Sequence, residues 1–206
     1  MSVLLPKLYP ITDVGLTGLT HAEQVRRLVN GGASLIQLRD KTSSPREFYE
    51  SAKAAVMVAK ECGIRLIIND RADVAASVGA DGLHLGQDDL PVGAARELLG
   101  PQAIIGLSTH NLSQALSAVN LPIDYLALGP IFSTSTKEDT EPELGLEGLR
   151  EVRDALGRFP VVAIGGITAD RAADVLGAGA TSMALISALL KDPDDIAAKT
   201  SHLLHL

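Results

Sequence analysis

The sequence predicts an α/β protein, a closed (β/α)8 barrel forming a single domain over residues 1–206. Three observations point there. Eight short apolar runs recur along the whole chain, stretches with helical spacing separate them, and a Gly-Ala pair stands before three of the runs.

The first run is Leu8–Thr12. An open doubly wound sheet would follow its first strand with Gly-x-Gly-x-x-Gly, and the stretch from Thr12 to Gly18 does not match that pattern. Ala22, Val25, Leu28 and Val29 then recur at helical spacing. Gly32-Ala33 leads into the second run, Leu35–Leu38. Ala54, Val58 and Ala59 mark the next helix, and Leu66–Asn69 the third run. Gly79-Ala80 precedes the fourth, Leu83–Leu85, and Ile104–Leu107 is the fifth. Ala115, Leu116 and Val119 mark a helix before the sixth, Tyr125–Leu128. A long polar connection runs from Gly129 to about Leu146, lacks apolar anchors, and reads as a mobile lid. Val161–Ile164 is the seventh run, and Gly179-Ala180 opens the eighth, Met183–Ile186.

None of the runs alternates cleanly, as expected for parallel strands covered on both faces. In the Gly-Ala pairs, glycine can adopt the left-handed conformation that ends a helix, and the small alanine lets the chain turn tightly into the next strand. Strand and helix alternating eight times gives the TIM-barrel architecture. Spread over eight units, 206 residues allow nearly 26 each, so the barrel has little room for insertions.

Composition removes several classes of function. A net charge of −7 argues against general nucleic-acid binding, and three Phe, three Tyr and no Trp leave few stacking platforms for single strands. No apolar stretch approaches the ~18 residues of a membrane span, and no secretory signal is visible at Met1–Pro10. With Cys62 as its one cysteine, the chain can form no internal disulfide, which fits a cytoplasmic location. Whether it forms a homo-oligomer is left open.

In such a barrel, function sits just past the C-terminal ends of the strands. That rule selects Gln37-Leu38-Arg39-Asp40-Lys41, Asn69-Asp70-Arg71, Gly86-Gln87-Asp88-Asp89, Ser108-Thr109-His110, Gly129-Pro130, Gly165-Gly166 and Ile186-Ser187, while the opposite ends carry mostly Gly, Ala and Pro. Asp70 and Asp89 follow neighbouring strands ~5 Å apart and could share one Mg2+, which takes one or two carboxylates and completes its shell with phosphate oxygens. The plainer reading makes each aspartate a helix cap. Arg39, Lys41 and Lys137 are cations suited to a diphosphate, or else a solvated rim. Gly165-Gly166 with Ile186-Ser187 suggests the phosphate site common after the last two strands, or only a tight turn. His84, between Leu83 and Leu85, reads as a core or pocket-lining histidine, and His110 as a helix start. No other histidine stands beside a strand end, which disfavours a His-rich metal site.

Together these segments resemble the thiamine phosphate synthase family, also called thiamine-phosphate pyrophosphorylase. The matching blocks are Tyr9–Asp13, Gln37–Lys41, Ile68–Arg71, Asp81–Asp89, Ile105–His110, Asp124-Tyr125, Gly129–Phe132 with Thr134-x-Thr136-Lys137, Ala163–Ile167 and Ile186-Ser187. They keep their order over nearly the whole chain. The resemblance implies an Mg2+-dependent transferase, one ion per subunit, that condenses 4-amino-2-methyl-5-(diphosphooxymethyl)pyrimidine with 4-methyl-5-(2-phosphooxyethyl)thiazole. The diphosphate leaves early, and thiamine phosphate and pyrophosphate result. By the same resemblance Gln37, Arg39, Lys41, Asn69, Ser108 and Lys137 hold the pyrimidine diphosphate, with Arg39, Ser108 and Lys137 catalytic. Asp70 and Asp89 bind Mg2+. Thr134, Ser135, Thr136, Gly166, Ile186 and Ser187 hold the thiazole phosphate.

Three other readings compete. A thiazole tautomerase-like relative tends to lack the diphosphate and metal residues, which are present here. A phosphate-binding regulator would show no Mg2+-dependent turnover. A Schiff-base aldolase wants a lysine inside a strand, and none of the eight runs holds one.

Overall fold

The computed structural model describes residues 4–134 and 141–206. Eight parallel strands close into one barrel in sequence order, with the first strand paired to the last. They are β1 (Leu8–Thr12), β2 (Leu35–Leu38), β3 (Arg65–Asn69), β4 (Gly82–Leu85), β5 (Ile104–Thr109), β6 (Tyr125–Leu128), β7 (Val161–Ile164) and β8 (Ser182–Leu185). The main helices of the outer ring are α2 (His21–Asn30), α3 (Pro45–Cys62), α4 (Ala72–Val78), α5 (Val92–Leu99), α6 (Leu112–Ala118), α7 (Gly145–Leu156) and α8 (Ala172–Gly177). Short α1 (Val14–Thr17) and α9 (Ser187–Leu190) lie just after β1 and β8, and α10 (Ile196–Leu204) ends the fold.

Nearly every strand residue is buried, because one face of the sheet meets the helices and the other fills the lumen. Leu8, Ile36, Leu66, Ile68, Leu83, Ile105, Leu126 and Met183 belong to the core shared with the helices. Tyr9, Ile11, Leu35, Ile67, Ile104, Tyr125, Ala127, Val162 and Ala184 form the separate cluster within the lumen. Small residues make room there for large ones. A Cβ on Gly106 would lie 2.1 Å from the Tyr125 ring, and one on Gly82 would lie 2.0 Å from the Ile104 carbonyl oxygen.

Local signals set the helix ends. Thr20 with Glu23, and Ser44 with Glu47, form capping boxes at the starts of α2 and α3. The three Gly-Ala corners share one geometry: Gly32, Gly79 and Gly179 have positive φ, and Ala33, Ala80 and Ala180 each donate back to a carbonyl five residues earlier. The periodicity misplaces one residue on each of two helices, while Val58, Ala59 and Ala115 are buried as expected. Ala54 and Leu116 are exposed, and Phe48, Ala52 and Ala55 on α3 and Ala118 on α6 complete the packed faces.

The N-terminal end of the barrel is more polar than the sequence suggests. Asp81, Asp124 and Thr181 each accept a hydrogen bond from the start of the preceding strand, at the Leu66, Ile105 and Val161 N–H groups. These bonds hold neighbouring strands together at the end away from the pocket. The connection after β6 is also anchored, contrary to expectation. Ile131 is fully buried, and Phe132, Leu144 and Leu146 pack against the core. The Leu144 and Gly145 N–H groups donate to the Pro130 and Ile131 carbonyls, which ties the two ends of the connection together.

Candidate active site

A cavity of about 770 Å3 opens at the C-terminal end of the barrel. Tyr9, Ala127, Val162 and Ala184 line it from the lumen. Of the residues singled out in the sequence, Gln37, Arg39, Asn69, Ser108, Thr134, Gly166, Ile186 and Ser187 all line this one cavity. Lys41, Asp70 and Asp89 do not. Ser135, Thr136 and Lys137 lie outside the described residues.

Lys41, Asp70 and Asp89 form a charged group of their own beside Asn69. The Lys41 ammonium pairs with the Asp70 carboxylate, which itself lies against that of Asp89. Burial lifts the Asp89 carboxyl above its ordinary range, and the neighbouring Asp70 adds to this against the pull of the Gly86 N–H. Neither aspartate caps a helix. Arg71 and Pro91 occupy the cap positions of α4 and α5 without a side-chain bond. Asp89 accepts the Gly86 N–H at 2.6 Å, and Asp70 takes a positive φ of 61°, a conformation unusual outside glycine. The helix-cap reading therefore falls. Two adjoining carboxylates are a hard oxygen donor set, which fits Mg2+ with phosphate and water oxygens completing the shell. No cluster of three or more metal-ligating side chains occurs among the described residues.

Arg39 is held by Asp13, 3.5 Å away at the end of β1. Asp40, between the two cations of the β2 loop, turns the other way. Its carboxylate accepts the Thr42 and Ser43 N–H groups, both at 2.9 Å. It also lies 3.6 Å from Nε2 of His21. Burial works to raise the Asp40 carboxyl, but the Ser43 and Thr42 bonds outweigh it and hold the group at about 2. His21 is fully buried, with Nδ1 2.7 Å from the Thr12 hydroxyl. The expectation that no further histidine stands by a strand end is thus wrong. His21 begins a helix in sequence, yet it packs beside the last residue of β1.

Across the cavity, Gly165 and Gly166 both have positive φ. A Cβ on Gly166 would lie 2.3 Å from the Ser133 carbonyl oxygen, so this glycine is also demanded by the segment packed over it. Ser187 starts α9, a short extra helix next to that turn.

The deepest polar feature links side chains from five strands. Gln37 Nε2 donates to the Tyr9 hydroxyl at 3.1 Å, and the Tyr9 and Tyr125 hydroxyls are 3.0 Å apart. His84 lies with Nδ1 3.0 Å from the Tyr125 hydroxyl and Nε2 2.9 Å from Ser108 Oγ. His84 stacks on Tyr125, and Tyr9 meets it edge-on. His84 does line the pocket, as the sequence suggests, but its bond to Ser108 is invisible in sequence. His110 Nδ1 donates to the Gly129 carbonyl, 2.6 Å away, and His110 also lines the cavity. Asp13 and the two tyrosines were missed as site residues. Their only local signal is that they fall in blocks at strand positions with inward or C-terminal placement.

Residues 8–189 match the family model described as thiamine monophosphate synthase. A thiamine-phosphate synthase of Chloroflexus aurantiacus is 46% identical over 193 residues, covering 93% of this chain and 88% of that protein. One from Methanoregula boonei is 47% identical over 192 residues, with the same coverage. The solved thiamine phosphate pyrophosphorylase from Pyrococcus furiosus superposes with a TM-score of 0.85 at 40% identity, covering 96% of this chain and 93% of that one.

Proposed function

Because the chain belongs to the thiamine monophosphate synthase family, we propose that its pocket makes thiamine phosphate from an aminopyrimidine methyl diphosphate and a hydroxyethylthiazole phosphate. The observation that carries this reading is that two groups whose chemistry suits anions line one cavity. Arg39 lines the β2–β4 side, with the Lys41, Asp70 and Asp89 group outside the lining at the same strand ends, and Gly166 with Ser187 lines the β7–β8 side. Two phosphorylated substrates can thus meet with their reactive ends over the lumen.

The reaction breaks the bond between the exocyclic methylene carbon and the diphosphate oxygen. The electron pair leaves with diphosphate, and the ring-stabilised carbocation is captured by the lone pair of the thiazole nitrogen. A carbon–nitrogen bond forms and no proton is transferred, so no protein base is required. What the site must supply is stabilisation of the leaving anion. Arg39 offers a planar fork for phosphate oxygens, and Lys41 a point charge. Gln37, Asn69 and Ser108 add polar contacts to the pyrimidine substrate. Lys137 would add a further cation, and Ser135 and Thr136 further donors, on the strength of the resemblance. Thr134, Gly166, Ile186 and Ser187 would receive the thiazole phosphate.

Asp70 and Asp89 would hold Mg2+, which when bound supplies Lewis-acid neutralisation of the diphosphate. Lys41 already neutralises Asp70, so this lysine would turn from carboxylate to phosphate as the site fills. The single exposed thiol, Cys62, suits a reducing cytoplasm. Among the described residues no helix is long and apolar enough to cross a membrane.

The test is a coupling assay with both substrates, with and without Mg2+. Thiamine phosphate is expected only when the ion and both substrates are present. Absence of product with the ion supplied would refute the reading, and full turnover in a chelator would refute the metal.

A further inference from the structure

The chain of hydrogen bonds through the lumen has a direction. An amide nitrogen can only donate, so Gln37 Nε2 makes the Tyr9 oxygen an acceptor. Tyr9 is buried, and among the described residues the one acceptor its own proton can reach is the Tyr125 oxygen. Tyr125, also buried, must then send its single proton to Nδ1 of His84. A neutral imidazole that accepts at Nδ1 carries its proton on Nε2, and that atom faces Ser108 Oγ at 2.9 Å. Ser108 therefore accepts from His84, and its own proton is left for the cavity it lines. The reverse direction would strand the Tyr9 proton in a buried site, a costly arrangement. Burial pushes both phenols well above their ordinary range, so neither loses its proton under working conditions.

We infer that Gln37, Tyr9, Tyr125 and His84 form a one-way hydrogen-bond relay that makes the Ser108 hydroxyl a donor into the pocket, with Tyr125 and His84 as positioning residues. This rests on the functional reading above and deepens it. In the opposite orientation a histidine beside a serine would draw off the hydroxyl proton and prepare a nucleophile. The condensation needs no nucleophile from the protein; it needs donors on a departing diphosphate. The relay holds Ser108 in the polarity that reaction uses. It also fixes the tautomer from the floor of the cavity, through the buried Tyr125 hydroxyl.

Two measurements test the relay. Long-range proton–nitrogen spectra of the ligand-free protein should show His84 protonated at Nε2 and not at Nδ1. In Tyr125→Phe, which removes the proton aimed at Nδ1 but keeps the ring, the other tautomer should appear. A wild-type His84 protonated at Nδ1 overturns the proposal. Kinetically, Tyr125→Phe should lower kcat roughly 10- to 100-fold with both KM values little changed, the loss expected when a supporting hydrogen bond behind a reactive group is removed. His84→Gln, whose amide can still donate to Ser108, should retain much of kcat, whereas His84→Leu should lose it as Tyr125→Phe does. A packing role alone predicts a tolerated Tyr125→Phe and equal losses for Gln and Leu, and either result overturns the relay. A wild-type protein that formed no thiamine phosphate would instead refute the functional reading, and the tautomer would still decide the direction of the relay.

Discussion

Arg39 and Asp13 face each other at 3.5 Å across the seam between β1 and β2. The pair joins a candidate diphosphate-binding cation to a residue that also accepts the Leu16 N–H at the start of α1. Asp13 thus aims the guanidinium from a neighbouring strand end.

Asp13→Asn keeps the acceptor for Leu16 and removes only the charge. A pair of this kind is worth at most about 1 kcal/mol. The KM for the pyrimidine diphosphate should therefore rise by about fivefold at most, with Tm nearly unchanged. Steady-state kinetics and thermal melts check both. A loss confined to the thiazole phosphate would show that Arg39 serves the other substrate.

Asp89→Asn should separate metal binding from stability. The charged form of Asp89 is opposed by burial and by Asp70. Neutralising it should leave Tm unchanged or slightly raised, while turnover falls by about 100-fold. Added Mg2+ should raise the Tm of the wild-type protein and not that of the variant. An Mg2+-dependent shift that survives the substitution would place the ion elsewhere.

Asp40 and His21 predict the acid behaviour of the β2 loop. The folded state holds Asp40 ionised down to about pH 2, below its unfolded value. Its stabilisation is therefore full above about pH 4 and is lost as pH falls towards 2. Burial lowers His21 below its ordinary value, so it adds nothing at neutral pH and works against the fold as pH falls through that value. Asp40→Asn should be less stable than wild type at pH 7, and the gap should close towards pH 2. Denaturant melts at several pH values measure this, and a gap constant with pH would refute it.

Gly106→Ala should disturb the lumen rather than the mouth. Its Cβ would meet the Tyr125 ring at 2.1 Å and the hydroxyl at 2.5 Å. Displacing that ring costs about 1–3 kcal/mol by overpacking and breaks the bond to His84. A melt and a kcat measurement on one sample test the link: both should fall together.

Gly166→Ala cannot isolate the thiazole phosphate, although Gly166 lines the cavity. Its φ of 61° and the 2.3 Å approach to the Ser133 oxygen mean that a side chain must move the segment after β6. The KM values of both substrates should rise together. A selective rise for thiazole phosphate would show that the backbone there yields without disturbing the rest of the pocket.

Much of the barrel was legible in the sequence because its signals are local. A run such as Tyr125–Leu128 must be buried wherever it goes, and Gly79-Ala80 ends a helix through the φ of one residue. The C-terminal positions of Asn69 and Ser108 follow from the same strand ends, so they come to one cavity by the geometry of a closed parallel sheet. Ala54 and Leu116 were misread because helical spacing tells which residues share a face, not where the edge of the covered face falls. The anchors Ile131 and Leu144 flank a polar stretch whose composition hid them. Tertiary structure alone decided the partners of the inward side chains. Tyr9 and Tyr125 are 116 residues apart, and His84 and Ser108 sit on adjacent strands with no spacing that marks them as bonded. A hydrogen bond depends on distance and direction in space, and only closure of the barrel brings those atoms within 3 Å and sets which of them must donate.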